Sequence, residues 1–166
     1  MLYSDLGISA NLMVVKERLK RLNTMETIVA TVKGVKVFVD ENNASVQLTF
    51  DKEFKGFVLK EEGDYVETDV KTISFQRSRL TAQLCNASDD IAMYRATLDR
   101  AFGQKEFGVI LFNAKLKVNR ERKSAGEVVG EGEKARALER DGYITDVVGV
   151  TLSDRAISKI DAAVAL

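Results

Sequence analysis

The sequence predicts a mainly β domain of the α+β class. The predicted architecture is a five-stranded Greek-key barrel with a helix between its third and fourth strands and a helix added at each terminus. Three observations predict it: a long β-branched strand whose alternation shifts at Gly34, further strand-type segments after it, and one well-capped helix that interrupts them. Because 166 residues suffice for one core of ordinary size, we expect residues 1–166 to form a single domain.

Residues 1–26 are expected to form a helical extension that precedes the barrel. Within it, residues 10–23 place apolar side chains at helical spacing, and Ser9 is in position to cap that helix. The segment carries an early acid and has no cationic start before a long apolar run, so we do not expect a secretory signal.

The first hairpin is the clearest strand signal. Apolar residues alternate in 27–39, but the alternation shifts by one residue at Gly34, which is typical of a bulge or a sharp bend. After a polar turn, apolar and polar residues alternate without interruption in 44–50. This pattern predicts a hairpin with one buried face. The expected inward positions are Ile28, Ala30, Val32, Val35, Val37, Val39, Ala44, Val46, Leu48 and Phe50.

The middle of the chain is less regular. Residues 51–69 fit either a further strand or an elaborated loop. Residues 70–85 again have the composition of a strand. Because their apolar residues move from odd-numbered to even-numbered positions, we expect a second bulge at 76–79. Ser88 then caps a helix that Gly103 closes, with Asp89 and Asp90 in its first turn.

The last part of the barrel follows this helix. Residues 106–119 are expected to form the fourth strand, with Ile110, Phe112, Ala114, Leu116 and Val118 inward. The charged, glycine-containing segment 120–142 reads as a mobile loop. Residues 143–152 predict the fifth strand, and 153–166 predict a C-terminal helix capped by Ser153.

Positive charge is concentrated in FNAKLKVNRERK, residues 112–123, although the chain holds 25 cations and 25 acids. A second group, SFQRSRL, lies on the predicted third strand. Cations that follow phosphates, together with aromatic faces that stack on bases, are the combination that holds single-stranded nucleic acid. Lys33 and Lys36 flank the bulge and either join this surface or are simply solvated. The candidate phosphate-binding residues are Lys33, Lys36, Arg77, Arg79, Lys115, Lys117, Arg120, Arg122 and Lys123.

Aromatic residues supply the second half of that combination. Phe50 and Phe112 are expected in the core, and Phe75 shares its parity with inward Ile73. The candidate stacking residues are Phe38, Phe54, Phe57, Phe75, Phe107 and Tyr143, of which Phe38, Phe57, Phe75 and Phe107 are assigned to the binding surface.

The element order over residues 27–152 and the placement of the basic patch resemble the OB-fold single-stranded-DNA-binding proteins of phage and bacterial replication systems. The resemblance implies an OB-like barrel that binds single-stranded DNA without sequence preference, and the sequence itself leaves RNA open as the ligand. It implies a non-catalytic role in replication or recombination. The patch alone is also consistent with a solvated strand face.

Composition excludes most catalytic arrangements. The chain has no histidine and a single cysteine, Cys85, so His-dependent dyads and Cys-rich zinc sites are excluded. No phosphate-binding glycine motif is present. We therefore expect no enzyme activity, no metal and no cofactor. Asp89 and Asp90 are explained by helix capping, and Glu127, Glu131 and Glu133 by a solvated loop. One cysteine and no long apolar run favour a cytoplasmic protein without a membrane partner.

An alternative function stays open on the sequence. In it, helices 10–23 and 154–165 present apolar faces through which a structural or adaptor protein, as in viral assembly, forms a homo-oligomer. A carboxylate-dependent nuclease ranks last, because the acids are scattered.

Overall fold

The computed structural model describes residues 25–39, 44–98 and 104–165. The predicted helix 10–23 lies outside these residues. None of the helices in the described ranges is long and apolar enough to cross a membrane.

The protein belongs to the α+β class, with a mainly antiparallel sheet and four helices in its described part. The strands are β1 Met25–Val39, β2 Ala44–Leu59, β3 Tyr65–Gln76, β4 Lys115–Lys123, β5 Val128–Val129, β6 Arg136–Ala137 and β7 Gly142–Thr151. The helices are α1 Arg77–Ala87, α2 Asp89–Leu98, α3 Gln104–Leu111 and α4 Asp154–Val164, and a 3-10 turn spans Gly132–Lys134. The main sheet has the order β3-β2-β1-β4-β7, and β5 pairs with β6 separately.

The first hairpin forms as its alternation predicts, except that Val39, expected inward, is 77% exposed at the end of β1. Val32 pairs with Phe50, whereas Gly34 pairs with Thr49, so β1 carries a bulge at the expected glycine. A second irregularity lies on β2 between Thr49 and Phe54. The strand nevertheless continues to Leu59, so residues 51–69 are the far half of the β2–β3 hairpin rather than an elaborated loop.

Residues 77–87 are a helix, and the expectation of a bulged strand there is wrong. Leu80 and Leu84 are buried at a spacing of four, with Thr81 beside them. The parity change at residues 76–79 therefore marks the switch from the two-residue period of a strand to the 3.6-residue period of a helix.

The predicted strand 106–119 is also partly wrong, because its first half is the helix α3. Phe107, Ile110 and Leu111 are buried at helical spacing. Asn113 has a φ of 62° and forms the turn into β4. The turn is fixed to β1, since the Asn113 N–H donates to the Val32 carbonyl at 2.9 Å. This turn leaves Phe112 46% exposed instead of placing it in the core.

The predicted loop 120–142 is shorter than expected. β4 extends to Lys123, and the chain then forms the small β5–β6 hairpin before β7 begins at Gly142. This hairpin is closed by backbone bonds, including Gly126 N–H to the Leu138 carbonyl at 2.8 Å.

A single core joins the inner face of the sheet to the helices. On α4, Ala156 and Ile160 are buried, and the predicted cap is present because the Ser153 side chain accepts from Ala156 N–H. Ser88 likewise accepts from Ile91 N–H at 3.3 Å. The helices therefore cover the face of the sheet that carries the alternating apolar residues.

The outer strands of the sheet, β3 and β7, are not joined by a ladder within the described ranges, so closure into a barrel stays a prediction. The helix α1 packs against β7 instead. Its Gln83 accepts from Val147 N–H at 2.8 Å and donates to the Asp146 carboxylate at 2.9 Å. The Gln83 side chain thus accepts a hydrogen bond from a backbone N–H at the edge of the sheet, where a further strand would otherwise pair.

Candidate nucleic-acid interface

The sequence predicts a basic patch on the third strand at SFQRSRL, residues 74–80. This patch is not a strand surface, because Arg77 and Arg79 lie on α1. The Arg79 guanidinium forms an ion pair with Asp146 of β7. This arginine therefore holds α1 against the sheet.

Arg120 is a structural residue rather than the exposed phosphate ligand that the sequence predicts. Its side chain is only 3% exposed and donates to Glu26 Oε1 at 2.9 Å and to the Lys55 carbonyl. Its guanidinium stacks on Tyr143, and its Nε has no hydrogen-bond partner in the described structure. Burial lowers the pKa of Arg120, and the nearby Glu26 carboxylate opposes that shift. Register explains the error: β4 continues past Asn119, and Arg120 falls on its inner face.

The two cations that follow it are both paired with acids. Arg122 binds Glu67 at 3.0 Å, and Lys123 binds Glu121 at 2.9 Å. Their charges are thereby partly compensated, which weakens the case for either as a free phosphate ligand.

The remaining predicted lysines are exposed. Lys33 donates to Asn113 Oδ1 at 2.9 Å, which leaves its charge without an acidic partner. Lys115 and Lys117 point away from the core, because they alternate with buried Leu116 and Val118.

The predicted aromatic residues divide into core and surface groups. Phe54, Phe75 and Phe107 are buried in the core, so the assignment of Phe75 and Phe107 to stacking is wrong. Phe107 is inward because it lies on α3 and not on a strand. Phe38, in contrast, is 53% exposed near the tip of the first hairpin, as the bulge predicts.

A cleft of about 660 Å³ lies between the far half of the β2–β3 hairpin and the segment 136–145. Three arginines and three aromatic rings line it, namely Arg120, Arg136, Arg140, Phe57, Tyr65 and Tyr143. The rest of the lining is one acid, Asp141, together with uncharged polar and aliphatic residues. Its volume falls within the roughly 300–1,000 Å³ of small-ligand pockets. The cleft therefore combines guanidinium groups with aromatic rings at one surface.

Contacts within the cleft orient its rings. The Arg140 guanidinium lies 3.8 Å from the Tyr65 centroid, and the Phe57 and Tyr143 centroids are 5.7 Å apart. Burial raises the pKa of Tyr143, so the phenol stays neutral at physiological pH. Arg136 and Arg140 are exposed, and neither forms an ion pair within the described part of the chain.

The polar side of the first hairpin leads toward this cleft. Lys36 pairs with Gln47, which pairs with Ser74, and both Gln47 and Ser74 line the cleft. Paired residues of neighbouring antiparallel strands present their side chains on the same face. Lys36 therefore shares a sheet face with one wall of the cleft, as does Phe38 through its pairing with Ser45.

Sequence reasoning missed Tyr65, Arg136 and Arg140, while it found Phe57 and Tyr143. Arg136 and Arg140 belong to a charged stretch of mixed sign, and Tyr65 to a segment with no clear period. The available signal is that two arginines lie near one tyrosine in RALERDGY, residues 136–143. This signal is weak without the fold that brings Tyr65 beside the segment.

A metal centre has no support among the described residues, where no group of three or more His, Cys, Asp or Glu side chains converges. Asp89 and Asp90 occupy the first turn of α2, as capping requires.

Comparison of the chain with protein-family models, curated proteins and solved structures finds no match.

Proposed function

We infer that the protein is a sequence-tolerant binder of single-stranded DNA. The observation that carries this proposal is the cleft in which exposed Arg136 and Arg140 lie beside Tyr65, Phe57 and Tyr143. Guanidinium groups bind phosphate oxygens, whereas aromatic rings stack on any base because every base has a π-face. A site built from these two groups recognises a strand without reading its sequence.

In this proposal the strand enters from the first hairpin. Phe38 and Lys36 make the first contacts, and the polar row of Gln47 and Ser74 leads into the cleft. Bases then stack on the cleft aromatics while Arg136 and Arg140 bind the phosphates. The neutral net charge of the chain is compatible with this, since binding requires a local positive surface.

The OB-like barrel is part of the same proposal. The outer strands β3 and β7 are the edges that such a barrel would join, and the cleft lies near both of them. Preference for DNA over RNA and a role in replication or recombination follow from the resemblance to phage and bacterial proteins. A cytoplasmic location is proposed from the single cysteine and the lack of a long apolar run.

The assembly alternative has less support. The apolar face of α4 is used inside the protomer, where Ala156 and Ile160 are buried and Ile157 and Val164 pack against the core. That helix offers little apolar surface to a second copy, and the other helix invoked, 10–23, lies outside the described residues.

Fluorescence anisotropy tests the proposal, with a labelled dT oligomer of about 30 nucleotides against a duplex of equal length, at 50–300 mM salt. We expect preference for the single strand and an affinity that falls as salt rises. Arg136→Ala/Arg140→Ala is expected to lower the affinity about tenfold or more, while Arg155→Ala/Lys159→Ala on α4 serves as the charge-matched control. No binding at micromolar protein and low salt would refute the proposal, and equal losses in both variants would refute the assignment to the cleft.

A further inference from the structure

A second cationic surface lies outside the cleft, on the outer face of β1, β4 and β7. Lys115 pairs with Thr31 on one side and Thr151 on the other, and Lys117 pairs with Val29 and Gly149. These partners are neutral, so the two lysines have no acid directly beside them in the sheet. We call the outward side chains of residues 27–33, 113–119 and 147–151 the lysine face.

The charge of the lysine face differs from that of an ordinary solvated surface. Its three segments contain Lys33, Lys115 and Lys117 but no aspartate or glutamate. Solvated surfaces usually intersperse both signs. One carboxylate reaches the region, since Asp51 Oδ1 accepts from Thr31 N–H at 2.9 Å. Elsewhere Lys55, Arg79, Arg120, Arg122 and Lys123 each pair with an acid, whereas no ion pair is found for these three lysines in the described part of the chain.

The shape of the face also differs from that of a purely polar surface. Val29 is 40% exposed and Val148 46% exposed, so apolar groups lie on the same surface as the lysines. A Cβ at Gly149 would lie 3.2 Å from the Lys117 Cβ, so the glycine leaves room for the lysine stem to lie across β7. The lysine face therefore combines cationic heads with aliphatic stems and exposed valines.

The lysine face is distinct from the cleft. The cleft involves residues 142–145 of β7 and the inward Arg120, whereas Lys115 and Lys117 pair with residues 149–151 and point away from the core. At a rise of about 3.4 Å per residue, residues 142–145 and residues 149–151 of β7 are separated by roughly 14–31 Å. A strand of about four nucleotides can occupy the cleft without reaching the lysines, but a longer one can contact both.

We propose that the lysine face is a second contact surface for the phosphate backbone, occupied only by single strands that extend beyond the cleft. The inference rests on the proposed function and adds to it a dependence on strand length. Its ligand is the negatively charged backbone of the strand, because an acid-free cationic surface complements negative charge and offers no aromatic ring for stacking.

The experiment measures the affinity of the parent chain and of Lys115→Gln/Lys117→Gln for dT oligomers of about 4 and 30 nucleotides. We expect the variant to bind the short oligomer within twofold of the parent chain. It should bind the long oligomer at least about tenfold more weakly at 50 mM salt, with a salt slope smaller by about 1.4 for two lost phosphate contacts. The control is Arg95→Gln/Lys159→Gln, which removes two exposed cations from α2 and α4.

The outcomes separate the two proposals. An unchanged affinity for the long oligomer would overturn the second contact surface and leave the cleft proposal intact. An equal loss for both lengths would overturn it too, because the lysines would then belong to the primary site. If the parent chain binds neither oligomer, both the proposed function and this inference are refuted. Thermal unfolding of each variant confirms that a loss of affinity does not reflect loss of folding.

Discussion

The guanidinium carbon of Arg120 lies 3.8 Å from the ring centroid of Tyr143, with Arg120 on β4 and Tyr143 on β7. The same guanidinium lies 5.0 Å from the Phe54 ring of β2 and bonds to Glu26 of β1. One buried cation therefore connects four strands of the sheet at the base of the cleft. Such a group stabilises the fold only while its partners remain in place.

Replacing Arg120 is expected to destabilise the protein. Arg120→Ala removes two charge-assisted hydrogen bonds and two ring contacts, which together contribute about 2–4 kcal/mol to the free energy of unfolding. Urea denaturation measures the loss. The control is Arg122→Ala, whose exposed ion pair with Glu67 should contribute less than about 1 kcal/mol. Equal effects of the two changes would contradict the structural role of Arg120.

Two phenylalanines that the sequence assigns to the same surface should behave oppositely. Phe107→Ala is expected to cost about 3–5 kcal/mol of unfolding free energy, because Phe107 is only 1% exposed and its removal leaves a cavity. Phe38→Ala should cost less than about 1 kcal/mol, because that ring is largely in solvent. Thermal or urea unfolding distinguishes them, and a stable Phe107→Ala would argue against α3 as a helix packed on the core.

Tyr65 should contribute to binding rather than to stability. Tyr65→Ala removes a stacking ring worth about 1–3 kcal/mol, so we expect single-strand affinity to fall by about 5- to 150-fold at constant salt. Phe112→Ala is the control, since Phe112 is similarly exposed but lies outside the cleft. Anisotropy titrations measure both, and an unchanged affinity in Tyr65→Ala would remove Tyr65 from the site.

A substitution at Gly56 tests how closely β2 and β3 pack against each other in their hairpin. A Cβ at this position would lie 2.5 Å from Val70 Cγ2, and a valine on a strand has little freedom to move away. Gly56→Ala is therefore expected to cost about 1–3 kcal/mol of unfolding free energy. In Gly56→Ala/Val70→Ala the clash is relieved, so the double variant should be more stable than the sum of the single changes implies.

The matched control for that change is Gly142→Ala, where an added Cβ meets nothing within 4 Å. It should leave stability within about 0.5 kcal/mol of the parent chain. A double-mutant cycle without coupling between residues 56 and 70 would show that the two positions do not touch.

The raised pKa of Tyr143 predicts how the stability of the protein depends on pH. Burial raises its pKa in the folded protein above the ordinary tyrosine value of 10.0, so the neutral phenol is favoured by folding. This contribution is complete below the unfolded pKa and is lost as pH rises through the folded pKa. We expect the free energy of unfolding to fall above pH 10 by more in the parent chain than in Tyr143→Phe. Denaturation at a series of alkaline pH values measures the difference, and parallel curves would contradict it.

Local chemistry alone determined several features of this protein. The glycine at 34 and the shift of alternation around it specify the bulge in β1, because a change of parity must be absorbed by an extra residue. Ser88 and Ser153 specify helix starts, because their side chains satisfy free backbone N–H groups. The outward position of Lys115 and Lys117 follows from simple alternation.

Only the tertiary structure decided the rest. Short apolar runs such as those at 77–87 and 104–111 are compatible with a strand or a helix, and packing on the sheet selected the helix. Arg120 is buried because β4 extends past Asn119 and because Glu26, Phe54 and Tyr143 converge on it from three other strands. The cleft likewise joins Tyr65 to Arg140, residues 75 positions apart in sequence, and only the folded chain places such distant groups in contact.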